Sequence, residues 1–139
     1  MRIGIDPDLD KCGVAFIDAG AVVSLHALDF FAVLEMIAQN PTAEFVIEDV
    51  EFNKPTFNRG LNQSKNLKVA QNVGMVKAVA RLLTEALKRA GVKYKAVPPL
   101  KGHMKNSAKK DAKYFNKITG WTGISNEDKR DAALLALFG

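Results

Sequence analysis

The 139-residue chain has a mass of 15.2 kDa, a length that suits one domain able to bury a core without disulfides or a structural metal. Its residues are 47% hydrophobic and 25% charged, an ordinary globular balance, and no uncharged apolar run reaches the roughly 18 residues of a membrane span, so a transmembrane role is not expected. The net charge of +5 divides unevenly: residues 1–53 hold 2 basic and 10 acidic side chains, residues 54–117 hold 16 and 2, and residues 118–139 hold 2 and 3. The middle segment reads as the footprint of a polyanion partner, nucleic acid, rather than as a solvated helical surface. Its acids are withheld instead of interspersed as i,i+4 partners. An acid at position 6 and a proline at 7 stand where a signal peptide would be apolar, and the single Cys12 suits a reducing compartment, so a cytoplasmic protein is expected.

The opening Arg2-Ile3-Gly4-Ile5-Asp6 predicts a short strand that stops where Asp6-Pro7 starts a turn. Residues 13–18 and 21–28 predict two more strands, joined at Ala19-Gly20 by a hairpin-length loop, which makes an antiparallel meander. Asp29 caps a helix through about Gln39, with Phe30, Val33, Leu34 and Ile37 on one face and Asn40-Pro41 closing it. Residues 44–50 form a fourth strand, reached by a crossover and hence parallel to the first. Residues 53–64 mix Asn, Pro, Gly and Ser without a period and read as an exposed loop. From about Ser64 to Ala90 a long helix is expected, because Val69, Val73, Val76, Ala80, Leu83, Leu87 and Ala90 recur at alternating steps of four and three; Lys68, Lys77, Arg81, Lys88 and Arg89 lie off that stripe and Gly91 ends it. Residues 92–97 are a fifth strand ended by Pro98-Pro99, residues 100–110 a basic loop, residues 109–118 a short helix, and Ser125 begins a closing helix. No repeat or linker divides the chain, so residues 1–139 are expected to form a single domain. This order predicts an α/β fold, a central five-stranded mixed sheet with helices on both faces and a site beyond the strand ends.

Four carboxylates then acquire addresses. Asp6 ends the first strand, Glu48 lies near the end of the fourth, and Asp128 and Asp131, three apart on the last helix, share a face. If the first and fourth strands are neighbours and the last helix crosses them, all four converge. Such a cluster repels itself unless cations neutralise it. Hard ions such as Mg²⁺ or Mn²⁺ take oxygen ligands, and a pair of them about 3.5–4 Å apart suits in-line displacement at a phosphodiester. Each acid also has a duller reading. Asp6 can simply start its turn, Glu48 can face outward, and Asp128 is the fourth position of a Ser125 capping box. The argument is the set, and Glu48, surrounded by Phe45, Val46, Ile47 and Val50, is its strongest member. Asp6, Asp8 and Asp10 imitate a calcium loop, but Lys11 stands where Gly is required and Ile17 where Glu is. His26 and His103 have no ligand-spaced partner for zinc and read as a strand residue and a loop residue.

In order and spacing, IGIDP at 3–7, VIE at 46–48, LKVAQNVGMVKAVA at 67–80 and DKRDAALLAL at 128–137 resemble the motifs of the RuvC-type Holliday junction resolvases, members of the ribonuclease H-like superfamily. Any one motif is weak, but together they span nearly the whole chain. The resemblance implies a ribonuclease H-like fold and a symmetric homodimer that nicks opposed strands of a four-way DNA junction, with two Mg²⁺ ions per site and Mn²⁺ as a substitute. It matches Asp6, Glu48, Asp128 and Asp131 to the family's metal-holding catalytic acids. Lys101, after Pro98-Pro99, and Lys109 or Lys110 match its phosphate-contacting lysines. The candidate DNA-binding set is Lys54, Arg59, Lys65, Lys68, Lys101, Lys105, Lys109, Lys110 and Lys113. Asp8 departs from the family's usual Gly and adds charge near the metals, while Glu51-Phe52 occupies the region of the family's aromatic wedge, with Phe52 and Phe57 as alternatives for that role. The chain is similar to compact phage forms, which implies the cytoplasm of a bacterium or of a phage-infected host. Two other functions stay open: a nuclease of the same superfamily acting on general branched DNA or RNA-DNA hybrids, and a junction-binding protein without turnover.

Overall fold

Five short apolar runs form one mixed sheet: β1 (Arg2–Asp6), β2 (Cys12–Asp18), β3 (Ala21–Leu28), β4 (Glu44–Glu48) and β5 (Lys93–Val97), in the order β3-β2-β1-β4-β5. The computed structural model describes residues 1–49, 51 and 63–139. β1, β2 and β3 are the antiparallel meander that their sequence predicts, and β4 pairs with β1 in parallel after the crossover through α1 (Phe30–Gln39). Asp29 caps α1 as expected, its carboxylate accepting from the Ala32 amide at 2.8 Å. α2 (Gln63–Ala90) then leads to β5, parallel to β4, and α3 (His103–Lys110), α4 (Ala112–Thr119) and α5 (Glu127–Phe138) follow.

The period of two along each strand divides the side chains between two faces. Ile3, Ile5, Cys12, Val14, Phe45 and Ile47 turn toward α1 and α2 and pack with Val33, Ile37, Leu83 and Leu87. The alternate positions, among them Ala15 and Ile17, turn toward α5 and pack with Ala132, Ala136, Phe115 of α4 and Ala108 of α3. Asp6 and Glu48 belong to this second set by parity. α5 approaches the sheet backbone to backbone: a Cβ on Gly4 would lie 2.1 Å from the Ala132 carbonyl oxygen, and one on Gly13 would lie 2.2 Å from that of Asp128. Only glycine permits this approach.

Four local expectations are corrected. Residues 103–110, read as loop, are helical. The short helix expected over residues 109–118 is split at Asp111, which caps α4 by accepting from the Lys113 and Tyr114 amides. The closing helix starts at Glu127 with Asn126 as its cap, not in a box begun by Ser125. The α2 stripe packs fully only at Ala80, Leu83 and Leu87; Val69 is 47% exposed and Ala90 is exposed. Geometry explains the last. A 28-residue helix is about 42 Å long, whereas five-residue strands span about 17 Å, so the first half of α2 overhangs the sheet. Lys54, Arg59 and the wedge candidates Phe52 and Phe57 lie outside the described residues.

Candidate active site

The parallel register sets Ile5 beside Ile47, so the next residues, Asp6 and Glu48, leave the ends of neighbouring strands side by side. α5 crosses above them and contributes Asp131 from its second turn. One carboxylate oxygen from each of Asp6, Glu48 and Asp131 lies within 4.8 Å of the others. Asp131 is buried and the other two are partly so. Asp128, one turn earlier on α5, sits over Gly13, which pairs with Asp6, and stands outside this tight group at its rim.

Two cations answer the acids. On α3, Lys105 and Lys109 are four residues apart and therefore share a face. Lys105 Nζ lies 3.1 Å from Asp131 Oδ1, and Lys109 Nζ lies 2.9 Å from Asp131 Oδ2. This compensation is incomplete, as the carboxyl groups show. Burial, followed by the charges of Asp131, Glu48 and Asp128, pushes Asp6 up to about 8. Burial and Asp131 also raise Glu48, and burial and Asp8 raise Asp128. Burial pulls the Lys109 ammonium down, but its hydrogen bond to Asp131 and the surrounding carboxylates outweigh that and hold it above the ordinary lysine value. A close group of hard oxygen donors whose carboxyls repel one another is a donor set that suits a divalent cation. The residues fit such an ion, which Asp6, Glu48 and Asp131 would hold.

No protein-family model and no curated protein matches the chain. Among solved structures it is similar to "T. thermophilus RuvC in complex with Holliday junction substrate", with a TM-score of 0.61 and 18% identity, covering 98% of this chain and 89% of that one. A second Thermus thermophilus RuvC structure matches with a TM-score of 0.55 at 17% identity, over 98% of this chain and 90% of that one. The chain has the RuvC fold. In that fold, the mixed sheet flanked by helices on both faces is the ribonuclease H-like architecture expected from the motifs.

On this RuvC fold the basic residues separate by position. Lys109 touches the acidic group, whereas Lys101 is exposed on the segment before α3 and makes none of the ion pairs found among the described residues. Lys65 and Lys68 lie exposed near the start of α2, and Lys110 and Lys113 are exposed at the junction of α3 and α4. Lys105, read from the sequence only as a DNA contact, is the one that joins Lys109 on Asp131. The signal for it was present in the i,i+4 spacing of Lys105 and Lys109, which carries meaning only on a helix.

Proposed function

We propose that this protein is a metal-dependent, structure-selective DNA endonuclease that cuts four-way junctions by paired nicks. One observation carries the reading: carboxylates from β1, β4 and α5 meet within 4.8 Å under two lysines, on a fold shared with a RuvC solved in complex with a Holliday junction substrate. Asp6, Glu48 and Asp131 would hold a divalent cation, Mg²⁺ or Mn²⁺, and Asp128 would complete the ligand set for a second. Bound there, such ions supply Lewis-acid activation of water and stabilise charge on the leaving oxygen. Asp6 carries a proton near neutral pH while no cation is present, and would have to give it up to hold one, which would make cation affinity rise with pH up to about 8. Lys109 and Lys105 are held by the pairs on Asp131 where a scissile phosphate would approach, and their ammonium groups offset charge that accumulates in the transition state.

A single acidic centre per chain cannot make two opposed cuts, so the reading includes a homodimer with a two-fold axis. Leu67, Val69 and Met75, exposed at 64%, 47% and 44% on the overhanging half of α2, support that helix as the shared surface. No helix among the described residues is long and apolar enough to cross a membrane, and the proposed place of action is the cytoplasm.

The deciding experiment incubates a labelled four-way junction, a Y-fork, a linear duplex and an RNA-DNA hybrid with the protein and Mg²⁺ or Mn²⁺. Paired symmetric nicks confined to the junction are expected, because a two-fold basic surface reads the angle between duplex arms through phosphate positions. A junction cut no better than linear duplex overturns the resolvase reading. Preferential cutting of the hybrid makes the protein a ribonuclease, and tight junction binding without nicks makes it a binding module.

A further inference from the structure

α3 is an improbable helix to stand on its own. It has eight residues, no side-chain cap at Gly102 and one fully buried side chain, Ala108. Isolated helices of this length do not persist in water. Yet α3 brings both lysines to the acidic centre, so something outside it fixes its position. Its ties to α5 include the Lys105 and Lys109 pairs, but both end on Asp131, and a cation bound by that carboxylate would compete with them.

Arg130 supplies a tie that does not depend on a metal-holding carboxylate. It is 6% exposed and forms no ion pair among the described residues. Its guanidinium instead donates from Nε to the Lys109 carbonyl at 2.7 Å, and from one terminal nitrogen to the Ser125 carbonyl at 3.1 Å and Ser125 Oγ at 3.0 Å. The Lys109 carbonyl belongs to the last turn of α3, where carbonyls lack intrahelical partners and the helix dipole is negative, so a buried guanidinium stabilises that end twice over. The fork geometry of arginine allows one side chain to bridge both segments. Arg130 follows Lys129 and precedes Asp131 on α5, about 100° around the helix from Asp131, and so points to α3 while its neighbour points to the acids.

We propose that Arg130 is the positioning residue that holds α3, and through it the Lys109 ammonium, over the acidic centre. The role of that lysine in turnover rests on the nuclease reading, whereas the hold on α3 does not.

The test compares Arg130→Met, Lys109→Ala and their double variant, using nicking of a four-way junction together with hydrogen exchange of the metal-free proteins. Arg130→Met should lower kcat by about ten- to a hundredfold with KM little changed, since a catalytic group displaced by an ångström has that effect. The same substitution should cost much less in the Lys109→Ala background, where only the displacement of Lys105 on the same helix remains to be felt. Exchange protection over residues 103–110 should fall at least about tenfold while β1 and β4 keep theirs. Equal losses from Arg130→Met with and without Lys109, or unchanged protection of α3, overturn the proposal. Should Arg130→Met fail to fold, Ser125→Ala removes one of the three bonds and should show the same pattern at smaller amplitude; no effect on α3 protection counts against the proposal. If the wild-type protein nicks nothing, the nuclease reading fails and the exchange arm still decides whether Arg130 holds α3.

Discussion

Asp6 is the residue at which electrostatics and stability meet. Its carboxyl is raised from 3.8 to about 8, so between those values the folded, metal-free protein holds a proton that the unfolded chain releases. Stability from this group is present in full below pH 3.8 and is lost as pH rises through about 8. Thermal melts of metal-free protein should show a falling midpoint between pH 5 and pH 8, and Asp6→Asn should flatten that slope. Mg²⁺ should restore the midpoint at pH 8 in the wild type and do so poorly in the variant. In nicking assays Asp6→Asn should lose at least about a hundredfold in rate yet bind junctions as well or better, because it removes ligand charge and no basic contact. Wild-type turnover by the purified variant would remove Asp6 from the centre. The acids were legible at this scale because strand ends and an i,i+3 pair are sequence patterns. The division between a tight group of three and Asp128 at its rim was not, since it depends on where α5 rests on Gly4 and Gly13.

Elements differ in how much of their structure the sequence declares. β1 to β5 and α1 were readable because apolar period, turn residues and the Asp29 cap agree there, and α5 was readable as a helix although its cap is Asn126 and not Ser125. α3 was not, because His103-Met104-Lys105-Asn106-Ser107-Ala108-Lys109-Lys110 offers only Met104 and Ala108 as apolar positions, and the helix is held by Arg130 and Asp131 from a distant element. α2 was read correctly as a helix, but its stripe gave no sign of where the supporting sheet ends. Two predictions belong here. Gly13→Ala places a methyl against the Asp128 carbonyl and should destabilise the fold by about 1–3 kcal/mol in denaturant titrations. Any α5 displacement should also appear as weaker Mn²⁺ binding in calorimetry. Leu67→Lys together with Val69→Glu should leave the monomer's melting unchanged, since both side chains are exposed, and halve the mass measured by light scattering. A wild-type mass already monomeric, with and without junction DNA, would exclude the α2 dimer.

The molecule as a whole separates charge along its length: the segment carrying α2, β5, α3 and most of α4 has 16 basic residues against two acids, and the preceding 53 residues have ten acids against two bases. DNA affinity should therefore fall steeply with salt, by about 0.9 in log K per log salt for each phosphate neutralised on duplex arms. A flat response in fluorescence anisotropy would remove the basic segment as a binding face. The acidic centre has a different relation to the chain, because it joins residue 6 to residue 131, and the Arg2 guanidinium reaches the Ala136 carbonyl across 134 positions of sequence. Translation imposes an order on these two properties. At roughly 5–20 residues per second, about 6–25 s separate synthesis of Asp6 from that of Asp131. Late in that interval the nascent chain already carries the basic segment of residues 54–117 but has no means of assembling the acidic group, which closes only when α5 has left the ribosome and settled on β1 and β2.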